Sequence, residues 1–322
     1  MERLIQFLRR RAASTFLVFV GLVLIFAFLS PRYVFVHSRN IAALGKLFPD
    51  LGIVTLGIGM LMICGEFDLS VASVLPFCAY IFARTLYAGL APSWGLFFAL
   101  LVGAALGWFN GFLTVKTRMP SFITTLGTLM FWRGVLYIWS KLMPLGIRQY
   151  IPSGSLFEKV LTGTVFGFFP VQSLWFTLFA ILLGILLHYH RFGNWVYATG
   201  DNRDAARAMG INTDWVKTAC FIIVGVLCGF SACMQSVRIG SFAATQGINF
   251  ELRAIAACVV GGTSLRGEIG SMSGVVLGAL TIPILDNGLV LLRVPVMGIS
   301  AFIGLATILF VLLNTYVERR FR

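Results

Sequence analysis

The chain has 322 residues, of which 58% are hydrophobic and 11% charged, and its mean hydropathy is +0.91. That balance excludes a water-soluble globular domain, because apolar runs near the ~20 residues a spanning helix needs recur along the whole sequence. The formal net charge of +13 does not signal nucleic-acid binding, since Lys and Arg stand singly at the ends of apolar runs, as they do where they fix orientation in a bilayer.

The basic start ERLIQFLRRR precedes the apolar run Ala12 to Ser30, which is long for a signal-peptide core and has no clear cleavage site, so it reads as a first span. Hydropathy places spans at 12–30, 48–64, 69–89, 95–115, 121–140, 172–190, 216–236, 252–264, 271–291 and 296–315. The expectation is an all-α integral membrane protein, residues 1–322 forming one transmembrane domain of about ten helices, some short enough to be broken or re-entrant. Ten crossings put both termini on one side, with Arg3, Arg9, Arg10, Arg11, Lys116, Arg118, Arg191, Arg203, Arg207, Lys217, Arg266, Arg319, Arg320 and Arg322. Arg32, Arg39, Lys46, Arg84, Lys141, Arg148, Lys159, Arg238, Arg253 and Arg293 fall opposite. The larger group marks the cytosolic side.

The first chemically unusual stretch is Cys64 to Ser73, CGEFDLSVAS, where Glu66 and Asp68 interrupt apolar sequence. A charge at membrane depth costs ~2.5–3.5 kcal/mol on insertion scales, so these carboxylates face protein or water. At an interface Asp68 or Ser70 would cap the next helix, whereas Glu66 has no capping role and is a candidate to pair with a basic residue. The second stretch, Gly107 to Gly134, carries Asn110, Pro120 at a helix start, then Ser121, Thr124, Thr125 and Thr128. Hydroxyls so spaced either line a polar path or bond to backbone and neighbours. Arg133 either snorkels to the interface or pairs with a carboxylate.

A loop from about 141 to 171 follows, with Pro144, Pro152, Gly154 and Pro170, long enough for a short surface helix and for contact with an extracytoplasmic protein. The polar stretch 191–217 holds a short helix, with Asp201 as N-cap, Asp204 in the first turn and Gly210 as left-handed C-cap. Ala205, Ala208 and Met209 share one small apolar face. The element is either a docking knob for a cytosolic partner or a solvated connector. The last stretch, Val259 to Ala279, is glycine-rich around Gly261, Gly262, Thr263 and Ser264, and reads as a broken helix lining a path or as close packing with a tight turn.

No catalytic or metal-binding constellation is present in the sequence. There is no HExxH, nucleophile elbow or phosphate-binding GxxxxGK[ST], and Cys64, Cys78, Cys220, Cys228, Cys233 and Cys258 lie in apolar segments without ligand spacing. The chain is therefore expected to bind no cofactor of its own.

These motifs, in order, resemble those of permease subunits of bacterial ATP-binding-cassette importers for monosaccharides of the ribose, xylose, arabinose and galactose type. The resemblance runs from about Leu51 to Leu313. It rests on Cys64 to Val71, on Asn110-Gly111, Pro120 to Thr128 and Arg133-Gly134, on Arg191 to Asn194, Tyr197 to Gly200, Asn202, Ala205-Ala206 and Gly210-Ile211, and on Leu252 to Ala257 with Val260 to Leu265, Gly267 and Gly270. One departure is Glu66, which stands where many relatives carry glycine.

The resemblance implies a fold like that of the vitamin B12 importer permease, in the bacterial inner membrane. It also implies a pore shared with a second copy or a sister permease, cytosolic ATPase subunits that hold ATP and Mg, and a periplasmic sugar-binding protein. Asp201, Asn202, Arg203, Ala205, Ala206, Ala208, Met209 and Gly210 would form the ATPase-coupling segment. Gly65, Glu66, Asp68, Ser70, Asn110, Thr124, Thr125, Gly261, Gly262, Thr263 and Ser264 would form the translocation path and its helix breaks. The rival is a secondary transporter driven by an ion gradient, for which Glu66 and Asp68 are the carboxylates at hand.

Overall fold

The computed structural model describes residues 11–321. Arg3, Arg9, Arg10 and Arg322 of the orientation argument lie outside the described residues. The elements are α1 (Arg11–Leu29), a 3-10 segment (Pro31–Val36), α2 (Ser38–Ile63), α3 (Val71–Tyr87), α4 (Pro92–Thr117) and α5 (Ser121–Ser140). Next come β1 (Leu145–Gly146), α6 (Leu156–Thr162), β2 (Thr164–Val165), β3 (Phe169–Pro170), α7 (Val171–His188), α8 (Arg191–Asp201) and α9 (Arg203–Ala208). The chain ends with α10 (Thr213–Ile239), β4 (Ser241–Phe242), α11 (Phe250–Val260), α12 (Met272–Leu291) and α13 (Val296–Phe321). Among the described residues, the six helices α2, α4, α5, α7, α10 and α12 are long and apolar enough to cross a membrane, and α1, α3 and α13 carry shorter apolar stretches. The protein is an all-α, multi-pass membrane protein.

Two expectations change. The span expected at 48–64 belongs to a helix that begins at Ser38 and runs through Pro49. The span expected at 252–264 is the 11-residue α11, too short to cross alone at 1.5 Å per residue. An irregular lead-in precedes it. β4 pairs antiparallel with β1 at the end of the bundle that carries the 141–170 loop, and the chain then runs through 243–249 into α11. That loop carries the short helix α6, capped by Ser155, and the small β2–β3 hairpin.

α2 and α10 form the centre, with the apolar stretch of each 83% buried. Prolines stand inside α2, α3 and α12, each leaving a helix carbonyl without its N–H, and for Pro49 and Pro76 that carbonyl has a substitute donor. Pro49 deprives the Gly45 carbonyl, to which the Ser173 hydroxyl of α7 donates at 2.7 Å. Pro76 deprives the Ala72 carbonyl, and the Arg133 guanidinium of α5 donates to it. Arg133 also donates to the Ala244 carbonyl at 2.9 Å. The residue neither snorkels nor pairs directly with a carboxylate. It binds the broken backbone.

The tightest helix pair is α4 against α10. Gly95, Ala99, Gly103, Gly107 and Gly111 recur every four residues and make one buried stripe of α4. On α10, Gly225 and Gly229 face them. A Cβ at Gly229 would lie 2.6 Å from the Ala99 carbonyl oxygen, and one at Gly111 2.8 Å from the Thr218 Cα. Between lipid-bathed helices, where no hydrophobic force acts, such close backbone approach supplies the packing.

Gly225→Val forces the backbones of α4 and α10 apart, and overpacking costs about 1–3 kcal/mol or more. The melting temperature in detergent is expected to fall by several degrees, while Gly127→Ala, facing open space, changes it little. Equal melting of both variants would refute the seam.

Candidate functional site

The short helix α9 is a six-residue element held at both ends. Its N-cap is Asn202, whose side-chain oxygen accepts from the Asp204 and Ala205 amides at 3.1 and 3.0 Å, and not Asp201, which closes α8. α8 was not expected at all. The His190 ring caps it by accepting from the Phe192 amide. At its other end α9 stops as expected: Gly210 is left-handed, the Ile211 amide donates to the Ala206 carbonyl, and the Gly210 amide to the Arg207 carbonyl. Ala206 turns inward. Ala205, Ala208 and Met209 stay exposed, Met209 at 83%. Arg203 and Arg207 both bind Asp214 in the first turn of α10, and Arg207 also donates to the Thr213 hydroxyl at 2.9 Å. The small apolar face is thus presented on a helix clamped to a central membrane helix.

The same stop ends α2 and α11. α2 ends at Gly65, with the Glu66 amide on the Leu61 carbonyl, and α11 ends at Gly262, with the Thr263 amide on the Cys258 carbonyl. The segment after Gly65 is extended and pinned by α5: Ser121 accepts from the Phe67 amide at 2.9 Å, and Thr125 from the Leu69 amide at 3.1 Å. Asp68 binds both the amide and the hydroxyl of Ser70, so it holds the turn into α3 from two residues before the helix, and Asn110 of α4 donates to the Ser70 hydroxyl at 2.6 Å. Of the hydroxyls on α5, Ser121 and Thr125 therefore bind neighbouring backbone, while Thr124 and Thr128 hydrogen-bond within α5. Asn110, Thr124, Thr125 and Thr263 are all buried, and the Asn110 side-chain oxygen and the Thr263 hydroxyl have no hydrogen-bond partner among the described residues.

Glu66 has a basic partner. Lys217, 151 positions later on α10, forms an ion pair with it, and each residue is only 8% exposed. A cavity of about 210 Å³ opens beside the pair, lined also by Arg118 and by Arg203 of α9. Glu66 therefore shares one cavity wall with the candidate coupling helix. Both carboxylates named for an ion site have structural partners.

The break at Gly65, α8 and the late glycine loop meet without intervening side chains. The Glu268 amide donates to the free Ile63 carbonyl at 3.0 Å, and a Cβ at Gly267 would sit 2.8 Å from the Gly200 carbonyl oxygen and 2.9 Å from the Gly65 Cα. The Tyr197 hydroxyl adds a bond to the Gly270 carbonyl at 2.9 Å. Burial of its ring holds that hydroxyl above the usual phenol range, so it remains a donor. In the same loop, Ser264 accepts from the Arg266 amide, and its own amide donates to the Ile269 carbonyl.

The sequence reading missed three intramembrane carboxylates. Asp50 in α2 pairs with Arg238 of α10, Asp286 in α12 pairs with Arg253 of α11 at 2.8 Å, and Glu251 opens α11 half-buried near Arg133. Asp50 and Asp286 are single carboxylates in apolar sequence, and that isolation was the available signal.

A membrane-embedded helix bundle with a clamped, outward-presented helix beside an unwound intramembrane segment is the construction of a transport permease. The family described as "Branched-chain amino acid transport system / permease component" matches residues 40–313, and the chain belongs to it. It is 32% identical to the xylose/arabinose import permease protein XylH of Sulfolobus acidocaldarius over 98% of this chain and 88% of that protein. It is 34% identical to the autoinducer 2 import system permease protein LsrC of Yersinia enterocolitica over 76% of this chain and 66% of that protein.

Lys217→Ala leaves Glu66 without its partner, and breaking a buried pair costs about 3 kcal/mol. The variant is expected to melt well below the parent, and Glu66→Gln combined with Lys217→Met to recover most of the loss. A double variant as unstable as the single one would show that the pair is not the cause.

Proposed function

We propose that this chain is the membrane-spanning subunit of an ATP-driven importer, forming the path for a monosaccharide or a similarly small polar solute. The observation that carries the reading is the exposed Ala205, Ala208 and Met209 face on a helix clamped to α10, a shape suited to a groove on a cytosolic ATPase. The named relatives, permeases for xylose or arabinose and for autoinducer 2, support the solute class.

In this reading the chain crosses ten times, through α1, α2, α3, α4, α5, α7, α10, the lead-in with α11, α12 and α13, in the manner of the vitamin B12 importer permease. Both termini and α9 lie in the cytosol of a cell bounded by a cytoplasmic membrane. The pore forms with a second copy or a sister permease, and the 141–170 loop receives an extracytoplasmic sugar-binding protein. The ATPase subunits bind ATP and Mg, and this chain supplies no catalysis.

Closure of the ATPase pair displaces Asp201 to Gly210. Arg203 and Arg207 pass the movement to α10 through Asp214, and the contact of Gly200 with Ile63 and Gly267 passes it to the breaks at Gly65 to Ser70 and Gly261 to Ser264. Asn110, Thr124, Thr125 and Thr263 stand behind those breaks and become part of the path as they rearrange. Solute affinity resides in the binding protein, so the path need hold the solute only weakly.

Ala205→Asp and Met209→Asp are expected to reduce ATP-dependent uptake at least tenfold while leaving the permease inserted, and to weaken co-purification of the ATPase. ATPase association at the parent level would overturn the docking role. Uptake that persists in vesicles without ATP would overturn the importer reading itself.

A further inference from the structure

The lead-in to α11 is irregular backbone at membrane depth. It starts at β4, level with Gly146, whose carbonyl accepts from the Tyr87 hydroxyl at the end of α3. It passes Gly247, where a Cβ would lie 3.3 Å from the carbonyl of Ala72, the second residue of α3. Phe242 of β4 packs its ring 5.3 Å from that of Tyr80, so the lead-in descends along roughly half of α3, on the order of 12 Å along the helix axis. Non-helical backbone at such depth is tolerated only where it is buried in protein or lines water.

One edge of this segment is not buried. Thr245, Ile248, Asn249 and Leu252 are exposed. The Thr245 hydroxyl, the Asn249 side chain and the backbone amides of Thr245, Ile248 and Asn249 have no hydrogen-bond partner among the described residues. Behind this edge the Glu251 carboxylate is turned inward, its Oε2 buried, and Arg133 holds the segment through the Ala244 carbonyl. The groups on the edge cannot face hydrocarbon without loss of several hydrogen bonds. They fit an aqueous surface that offers a hydroxyl, an amide side chain and free backbone amides between two aliphatic side chains, a set matched to an uncharged polyhydroxylated solute.

We propose that the Thr245–Leu252 edge is the water-lined face along which solute passes, with Thr245 and Asn249 as its hydrogen-bonding contacts. The solute class rests on the importer reading, whereas the water-lined character of the edge does not. Because all six native cysteines are buried, single cysteines report cleanly. In membranes holding the full transporter, Thr245→Cys and Asn249→Cys are expected to react with a charged, water-soluble methanethiosulfonate at least tenfold faster than Ile181→Cys on the apolar surface of α7. Reaction as slow as at Ile181→Cys would overturn the proposal, whether or not uptake proves to need ATP. Asn249→Trp is expected to cut uptake at least tenfold while ATPase co-purification stays at the parent level. Uptake at the parent rate in that variant would overturn the solute contact.

Discussion

A backbone amide or carbonyl without a partner inside a bilayer costs several kcal/mol, and this requirement governs how the fold can be interrupted. Several interruptions have their own remedy. The carbonyl freed by Pro49 receives the Ser173 hydroxyl, and the carbonyl freed by Pro76 receives Arg133. The extended segment after α2 lends its amides to Ser121, Thr125 and Asp68. The last carbonyl of α2 is taken by the Glu268 amide from a loop some two hundred positions away. A helical bundle that needs unwound stretches in its interior must recruit polar side chains from neighbouring helices, and of those recruits Ser121, Thr125, Asp68 and Arg133 stood out in the sequence, whereas Ser173 did not.

That correspondence explains what could be read in advance. Gly210 was legible as a helix stop because a left-handed C-cap is a local property, and the exposure of Ala205, Ala208 and Met209 follows from helical period alone. The choice of N-cap was not local. Asp201 and Asn202 are both suited to the role, and only the presence of α8, ending at Asp201, assigns it to Asn202. That helix escaped notice because its N-cap is a histidine ring, an uncommon acceptor for the purpose.

Long-range pairings were illegible for another reason. Glu66 was a candidate to pair with a cation, yet nothing near it in the chain singles out Lys217 among 25 basic residues. Asp50 and Asp286 were overlooked because each is the single carboxylate of an apolar run, where it hardly changes hydropathy, and Glu251 lies at the edge of such a run, two residues from Arg253. The four-residue glycine spacing of α4 was present to be read and required only attention to helical period. The helix expected at 252–264 is the short α11, because the backbone before it, 243–249, is irregular.

The meeting of Gly65, Gly200 and Gly267 has a mechanical meaning. Side chains between moving elements act as compressible padding: rotamers shift, gaps open and close, and small displacements are absorbed before they arrive. At this junction three main chains touch directly, with only hydrogen atoms projecting from their α-carbons, so there is almost no play. A shift of α8 by a fraction of an ångström must move the end of α2 and the late loop together and in step. The junction therefore synchronises two distant breaks without a dedicated wire between them, and a single added methyl at Gly200 would introduce either a wedge or slack into an otherwise backlash-free joint.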